Sequence, residues 1–275
     1  MRTKSILMGI LLASIVSTSS NAQLKLGDKA IGALGKGVKG FTFSDEEAAS
    51  MAKAAVDQMD KENPVAGAKD KYAIRLNKLF GKHKSDNGLA LNFKVYLVKD
   101  VNAFACADGS VRVFAGLMDI MDDNEILAVI GHEIGHVANH DTRDAIKAAY
   151  KKEALMDAAA SQSDKVASAS ESTLGKLGNA MIDSKHSRKQ ESDADLYSYD
   201  FMKRNGYDVN AVESAFTILA KMSEGAEASV LDRMMSSHPD AKDRAEKSRK
   251  RAEKDGLYKE YVKKVAKPAA KKKKK

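Results

Sequence analysis

The sequence predicts an α+β fold, mostly α-helical, with a small β-sheet beside one central helix. Apolar residues recur at helical spacing behind acidic or hydroxyl caps, most clearly over residues 122–137. Residues 91–115 instead alternate and are interrupted by Asp108-Gly109, as short paired strands are. Once an N-terminal leader is set aside, about 250 residues remain, enough for one domain with its own core.

Residues 1–22 have the form of a signal peptide. Arg2 and Lys4 supply the positive start, residues 6–16 the apolar core, and Ser20-Asn21-Ala22 a small-residue cleavage site before Gln23. The apolar run is short for a membrane span, so an uncleaved anchor is the lesser alternative. No cysteine follows it, which argues against a lipoprotein, and the expected destination is the periplasm. The lone cysteine, Cys106, allows no intramolecular disulfide. It reads as a small buried residue or an intermolecular partner, and nothing supports a catalytic thiol.

Residues 23–40 are glycine-rich and expected to be irregular. Ser44 and Glu47 form a capping box that opens a helix running to about Glu62, and Asn63-Pro64 ends it. A second helix is expected over residues 68–80. A strand over 91–98 places Phe93, Val95 and Leu97 on one side. Strands over 101–107 and 110–115 are joined by the hairpin signal Asp108-Gly109.

The helix that opens at Asp122 carries Gly131-His132-Glu133-Ile134-Gly135-His136, an H-E-x-x-H motif. Asp122-Asp123-Asn124-Glu125 gives it an N-cap and an acidic first turn. Ile126, Val129, Ile130, Ile134 and Val137 form its apolar stripe. On a helix His132 and His136 share a face, their rings about 6 Å apart along the axis, a spacing that suits one tetrahedral zinc. Glu133 stands beside them, free to take a proton from water rather than to bind metal. A third ligand must come from elsewhere. His140 lies about 12 Å from His132 on a continuous helix, too far to share an ion. Thr142 stands where a metzincin would need its third histidine.

Downstream, Glu191 and Asp195 are again four residues apart on a helical stretch. Alone they read as a solvated face. Paired with the earlier motif, Glu191 can complete a His-His-Glu site with its fourth position open, and Asp195 can orient a ligating histidine.

These motifs resemble those of the gluzincin metallopeptidases that include the Ste-type CAAX prenyl proteases and the bacterial heat-shock protease HtpX, with periplasmic members as the nearest likeness. The resemblance covers residues 91–244 and rests on Val101-Asn102-Ala103-Phe104-Ala105, Gly109, Gly116-Leu117, the His132–His136 motif, Glu191, Asp195 and Ser237-His238-Pro239. It implies a zincin-like domain holding one Zn2+ per chain through His132, His136 and Glu191. Glu133 is then the general base and Asp195 the partner of a ligating histidine. Asn102, Ala103 and Phe104 fall on an edge strand that would hold substrate by backbone pairing. His238 or Arg244 would return to the site, to stabilise an oxyanion or, for His238, to fill the open metal position and hold the enzyme latent; read alone, His238 is a turn residue. One departure is Tyr197-Ser198-Tyr199, where many members carry glycine.

Residues 142–184 are helical in composition with a Ser/Ala-rich interruption at 158–173, and read as a lid or as a mobile surface hairpin. A helix over 208–223 places Val212, Phe216 and Leu219 on one face. The zinc peptidase domain is assigned to residues 23–262. Residues 263–275 hold eight lysines and no acid, matching the chain's formal charge of +8, so the body is near neutral. That tail is either simply solvated or in weak contact with anionic envelope surfaces. No aromatic residues accompany it, which speaks against nucleic acid. The expected function is zinc-dependent endopeptidase activity in the bacterial envelope on protein or peptide substrates, with misfolded or unfolded envelope proteins implied by the resemblance. Two other readings are an envelope chaperone or assembly factor with a latent or structural zinc site, and an envelope-binding protein acting through its tail.

Overall fold

The computed structural model describes residues 44–86, 88–160, 171–225 and 228–263. The expectations for the signal peptide, the glycine-rich stretch and residues 264–275 of the tail lie outside them. Helix α1 (Asp45–Glu62) has the predicted capping box, with Glu47 N–H donating to Ser44 Oγ and Ser44 N–H to Glu47. It ends where Asn63 bonds back to the Met59 carbonyl ahead of Pro64. Helix α2 (Lys71–Phe80) begins later than predicted because Asp70 accepts from Tyr72 N–H and caps it there. A two-residue ladder, β1 (Ser85–Asp86) with β2 (Leu89–Ala90), precedes the main sheet and was not foreseen.

The main sheet holds β3 (Asn92–Tyr96), β4 (Ala103–Ala105) and β5 (Ser110–Phe114) in the order β3-β5-β4. β5 is central, parallel to β3 and antiparallel to β4. The predicted hairpin at Asp108-Gly109 forms. Gly109 has φ +84°, and a side chain there would run into the Ala90 carbonyl, so both conformation and space demand glycine. Short helix α3 (Ala115–Ile120) follows, then α4 (Asp123–Ala138), α5 (Asp141–Ala160), α6 (Glu171–Ile182), α7 (Arg188–Arg204), α8 (Asn210–Ser223), a 3-10 turn (Ala228–Leu231), α9 (Asp232–Ser237) and α10 (Ala241–Lys254).

Strand alternation divides the interior into two cores. Val95, Ala103, Ala105, Val111 and Val113 face the larger one, shared with α2, α4, α7, α8 and α10. Tyr96, Phe104, Cys106 and Phe114 face the other, shared with α1, α5 and α6. Ile146, Tyr150, Leu177 and Ile182 are buried there, so the described parts of the 142–184 segment pack as helices on α1, and most of its Ser/Ala-rich interruption lies outside the described residues. Cys106 lies in the same core, its thiol pushed up by burial, as expected of a small apolar residue.

A buried charge cluster joins this layer to the sheet. Arg112 on β5 is 2% exposed and grips Asp60 of α1 with two nitrogens, at 2.8 and 2.9 Å. Lys94 and Tyr96 bond the same carboxylate at 2.6 and 2.8 Å. Burial opposes ionisation of Asp60, but Arg112 and Lys94 outweigh it and hold the group below its usual range.

Helix α4 is the centre of the larger core. The single apolar stripe read from the sequence understates its burial: every residue from Glu125 to Val137 is buried, because α7, α8 and β4 pack around it. Asp122 is the predicted N-cap, and with Glu125 it closes a capping box. Residues 257–263 run back across the fold to this helix end. Tyr261 OH donates to Asp122 at 2.7 Å, and Lys263, assigned above to the tail, donates to the Ile120 carbonyl at 2.5 Å. No helix among the described residues is long and apolar enough to cross a membrane.

Candidate metal centre

Two helices bring the ligand types together, and two glycines set how closely they meet. On α4, Gly131 and Gly135 face α7: a Cβ at Gly135 would lie 3.0 Å from Ala194 Cα and 3.0 Å from Tyr197 Cβ, and one at Gly131 3.1 Å from the Phe201 ring. Ser198, one of the residues that departs from the family's glycine, fits by donating its hydroxyl to the Ala128 carbonyl at 2.7 Å. This contact presents Glu191 and Asp195 to the histidines one turn apart. Replacing Gly135 with alanine is expected to force α7 outward, costing about 1–3 kcal/mol and weakening metal retention; urea melts and metal analysis of the purified variant check both.

The donors converge. His132 Nε2 and His136 Nε2 are 3.0 Å apart. Glu191 Oε1 lies 3.3 Å from His136 Nε2, and Glu191 Oε2 3.6 Å from His132 Nε2. Ligands at tetrahedral zinc distances are separated by about 3.3 Å, so the spacing fits one ion. The predicted trio is therefore assembled, and His238 joins it: its Nδ1 is 3.0 Å from Glu191 Oε1 and 3.3 Å from His132 Nε2. His238 thus lies among the convergent donors rather than at the site's rim.

The outer nitrogens are also held. His132 Nδ1 meets Asp195 Oδ1 at 3.0 Å, as the sequence implied. His136 Nδ1 meets Asp141 Oδ2 at 2.8 Å, and Gln190 donates to the other oxygen of Asp141. A proton on each Nδ1 leaves each Nε2 lone pair turned inward, the state a metal requires. Asp141 went unnoticed in the sequence, although an acid just past the end of a histidine-bearing helix is a readable signal. His186 was missed too; its ring stacks on His136 at 3.8 Å.

Burial, with the neighbouring Arg244 and His136, pushes His132 down to about 3. Burial also disfavours a charged His136, yet its bonds to Asp141 and Glu191 raise it to about 9. The burial of Glu191 is outweighed by His136 and His238, which hold it well below the usual carboxylate range. Glu133 is 3% exposed and raised by burial, and its Oε1 has no hydrogen-bond partner; His238 Nε2 lies 3.7 Å from it. A buried carboxylate oxygen left open beside three or four convergent donors fits a metal site that receives a water or substrate group.

The strand expected to hold substrate lies beside α4 at the sheet edge, and its register with β5 sets which backbone groups point outward. Phe114 N–H donates to the Asn102 carbonyl and Cys106 N–H to that of Ser110, so Asn102, Phe104 and Cys106 turn their backbone groups toward β5. Ala103 and Ala105 are the residues whose backbone groups point to the free edge. The Phe104 ring sits in the second core against Tyr96 and Phe114, away from α4. Asn102 Oδ1 accepts from Ala103 N–H at 2.9 Å, and Val101 N–H from the same stretch donates to the Val230 carbonyl at 2.9 Å. Arg244, considered above for an oxyanion, is 4% exposed and faces the two α7 carboxylates instead.

Comparison with known proteins agrees with this geometry. Residues 77–252 match peptidase family M48. The chain is 36% identical over 261 residues to the metalloprotease LoiP of Escherichia coli K12, covering 94% of this chain and 100% of that one. It is 40% identical over 214 residues to the metalloprotease YcaL of the same organism, covering 78% of this chain and 83% of that one. A putative β-barrel assembly-enhancing protease of Vibrio cholerae is 30% identical over 61% of this chain and 36% of its own length. Because the family match spans every residue of the donor cluster, and LoiP aligns over nearly the whole chain, this chain belongs to peptidase family M48 and is a metalloprotease.

Proposed function

We propose that this metalloprotease is a zinc endopeptidase of the bacterial envelope that hydrolyses misfolded or misassembled proteins. The observation that carries the chemistry is the convergence of His132, His136 and Glu191 on one point with the open carboxylate of Glu133 beside it. His132 Nε2, His136 Nε2 and Glu191 would hold the ion, whose nitrogen-rich donor set suits zinc. Bound there, zinc supplies Lewis-acid polarisation to the scissile carbonyl and to the attacking water. Glu133, its affinity for a proton raised by burial, accepts the water's proton and delivers it to the leaving amine. Asp195 and Asp141 keep the histidine tautomers fixed. An extended substrate pairs with the edge of β4 through the Ala103 carbonyl and the backbone of Ala105, since Ala103 N–H already donates to Asn102 Oδ1.

Envelope residence is supported by the signal-peptide form of residues 1–22 and by the likeness to the putative β-barrel assembly-enhancing protease of Vibrio cholerae. Mass spectrometry of the protein from periplasmic extract is expected to find Gln23 at the N-terminus. For the activity, chelation is expected to abolish casein cleavage and one equivalent of zinc to restore it. A folded protein that takes up no metal would overturn the proposal.

A second reading concerns regulation. With Nδ1 of His238 among the donors, the enzyme as described is latched, and substrate has to displace this histidine. His238→Ala is then expected to cleave casein severalfold faster at unchanged zinc content. A fall in rate would instead assign His238 to oxyanion stabilisation, and zinc without cleavage in either protein would favour the chaperone reading.

A further inference from the structure

We infer that Arg244 is a positioning residue of the metal site: it holds Glu191 to one-oxygen ligation and locks Glu191 and Asp195 into a single unit around His132. The inference rests on the zinc reading of the site above.

Arg244 enters from α10, far from both ligand helices in sequence, and its guanidinium lies 4.1 Å over the face of Phe216 on α8. Its Nε and Nη2 donate to Asp195, at 3.0 Å to Oδ2 and 2.7 Å to Oδ1. Its Nη1 lies 2.6 Å from Glu191 Oε2, an ion pair without hydrogen-bond alignment. One planar cation thus bridges two carboxylates a helical turn apart, which a lysine's single point of charge does not reproduce. The same Oδ1 of Asp195 that accepts from Arg244 meets His132 Nδ1, so the orientation of that ring depends on the bridge.

The consequence for Glu191 follows from which oxygen is engaged. Oε2 is paired with Arg244 at 2.6 Å and stands 3.6 Å from His132 Nε2, whereas Oε1 lies closer to the ring nitrogens, 3.3 Å from His136 Nε2 and 3.0 Å from His238 Nδ1. Pairing Oε2 with a buried cation withdraws it as a donor and leaves Oε1 to the metal. Without the arginine both oxygens would be available, and the carboxylate would close on the ion in bidentate fashion, raising its coordination number.

Cobalt(II) in place of zinc reads coordination directly, since four-coordinate cobalt absorbs visible light far more strongly than five-coordinate cobalt. Wild type, Arg244→Lys and Arg244→Met would each be loaded with cobalt, and zinc affinity measured by chelator competition. The expected result is full metal stoichiometry in all three, at least a tenfold loss of zinc affinity in both variants, and a weaker cobalt band in both. Arg244→Lys keeps the buried charge, so it carries the test if Arg244→Met does not fold. Unchanged affinity and an unchanged spectrum in a folded Arg244→Lys would overturn this inference while leaving the zinc peptidase reading standing. A folded wild type that binds no metal would overturn the zinc reading itself.

Discussion

Glu133→Gln is expected to lower kcat/KM on casein or a peptide substrate by about 10³-fold, within the 10²–10⁴ typical of a positioned general base. Zinc content and thermal stability should be unchanged. The substitution keeps the shape of the side chain and removes only its capacity to take up a proton. The buried carboxylate has no hydrogen-bond partner on Oε1 to lose, and burial already disfavours its charge, so the neutral amide should not destabilise the fold. The measurement pairs metal analysis with initial rates on the same preparation. Activity within tenfold of wild type, with zinc bound, would remove Glu133 from the mechanism and direct attention to His238.

Asp60→Ala is expected to have the largest effect on stability, a loss of about 3–5 kcal/mol in urea unfolding at neutral pH, because it strands the buried Arg112 without its partner. Arg112→Met combined with Asp60→Ala should be less damaging than the sum of the two, since the double variant leaves no buried charge unpaired and the half-exposed Lys94 can turn to solvent. Additivity in that cycle would show that the pair contributes nothing as a pair. The pH dependence follows from the lowered pKa of Asp60. A carboxylate depressed in the folded state stabilises fully above its unfolded pKa, and that stability is lost as pH falls through the folded value. Wild type should therefore lose stability on acidification below about pH 4, with this part of the slope missing from the variant. The site's catalytic residues are untouched by either change, so activity per folded molecule should survive.

Much of the site was legible because its chemistry is encoded at helical spacing. His132 and His136, and Glu191 and Asp195, each lie four residues apart, and a helix turns such pairs to one face whatever surrounds it. Local rules likewise settled the capping boxes at Ser44 and Asp122 and the hairpin at Gly109, where the deciding atoms are within a few residues of one another. Asp141 was overlooked although it too is close in sequence; its role depends on the chain turning back at His140, which has φ +67°.

What only the tertiary structure decided involves partners separated by long stretches of chain. Whether the two ligand helices meet closely enough depends on Gly131 and Gly135 facing α7, and a glycine in a helical pattern does not announce what it lies against. Which backbone groups of residues 102–105 face outward was fixed by the register with β5, since a shift of one residue inverts the strand. The bond between Asp60 and Arg112 joins elements 52 residues apart, and that between Arg244 and Asp195 spans 49. The sequence by itself therefore determined the donor types, their pairing on helices and the family. The fold decided the closeness of approach, the neighbours that set each charge, and the position of His238 among the ligands, because these depend on packing between distant segments and not on spacing along one of them.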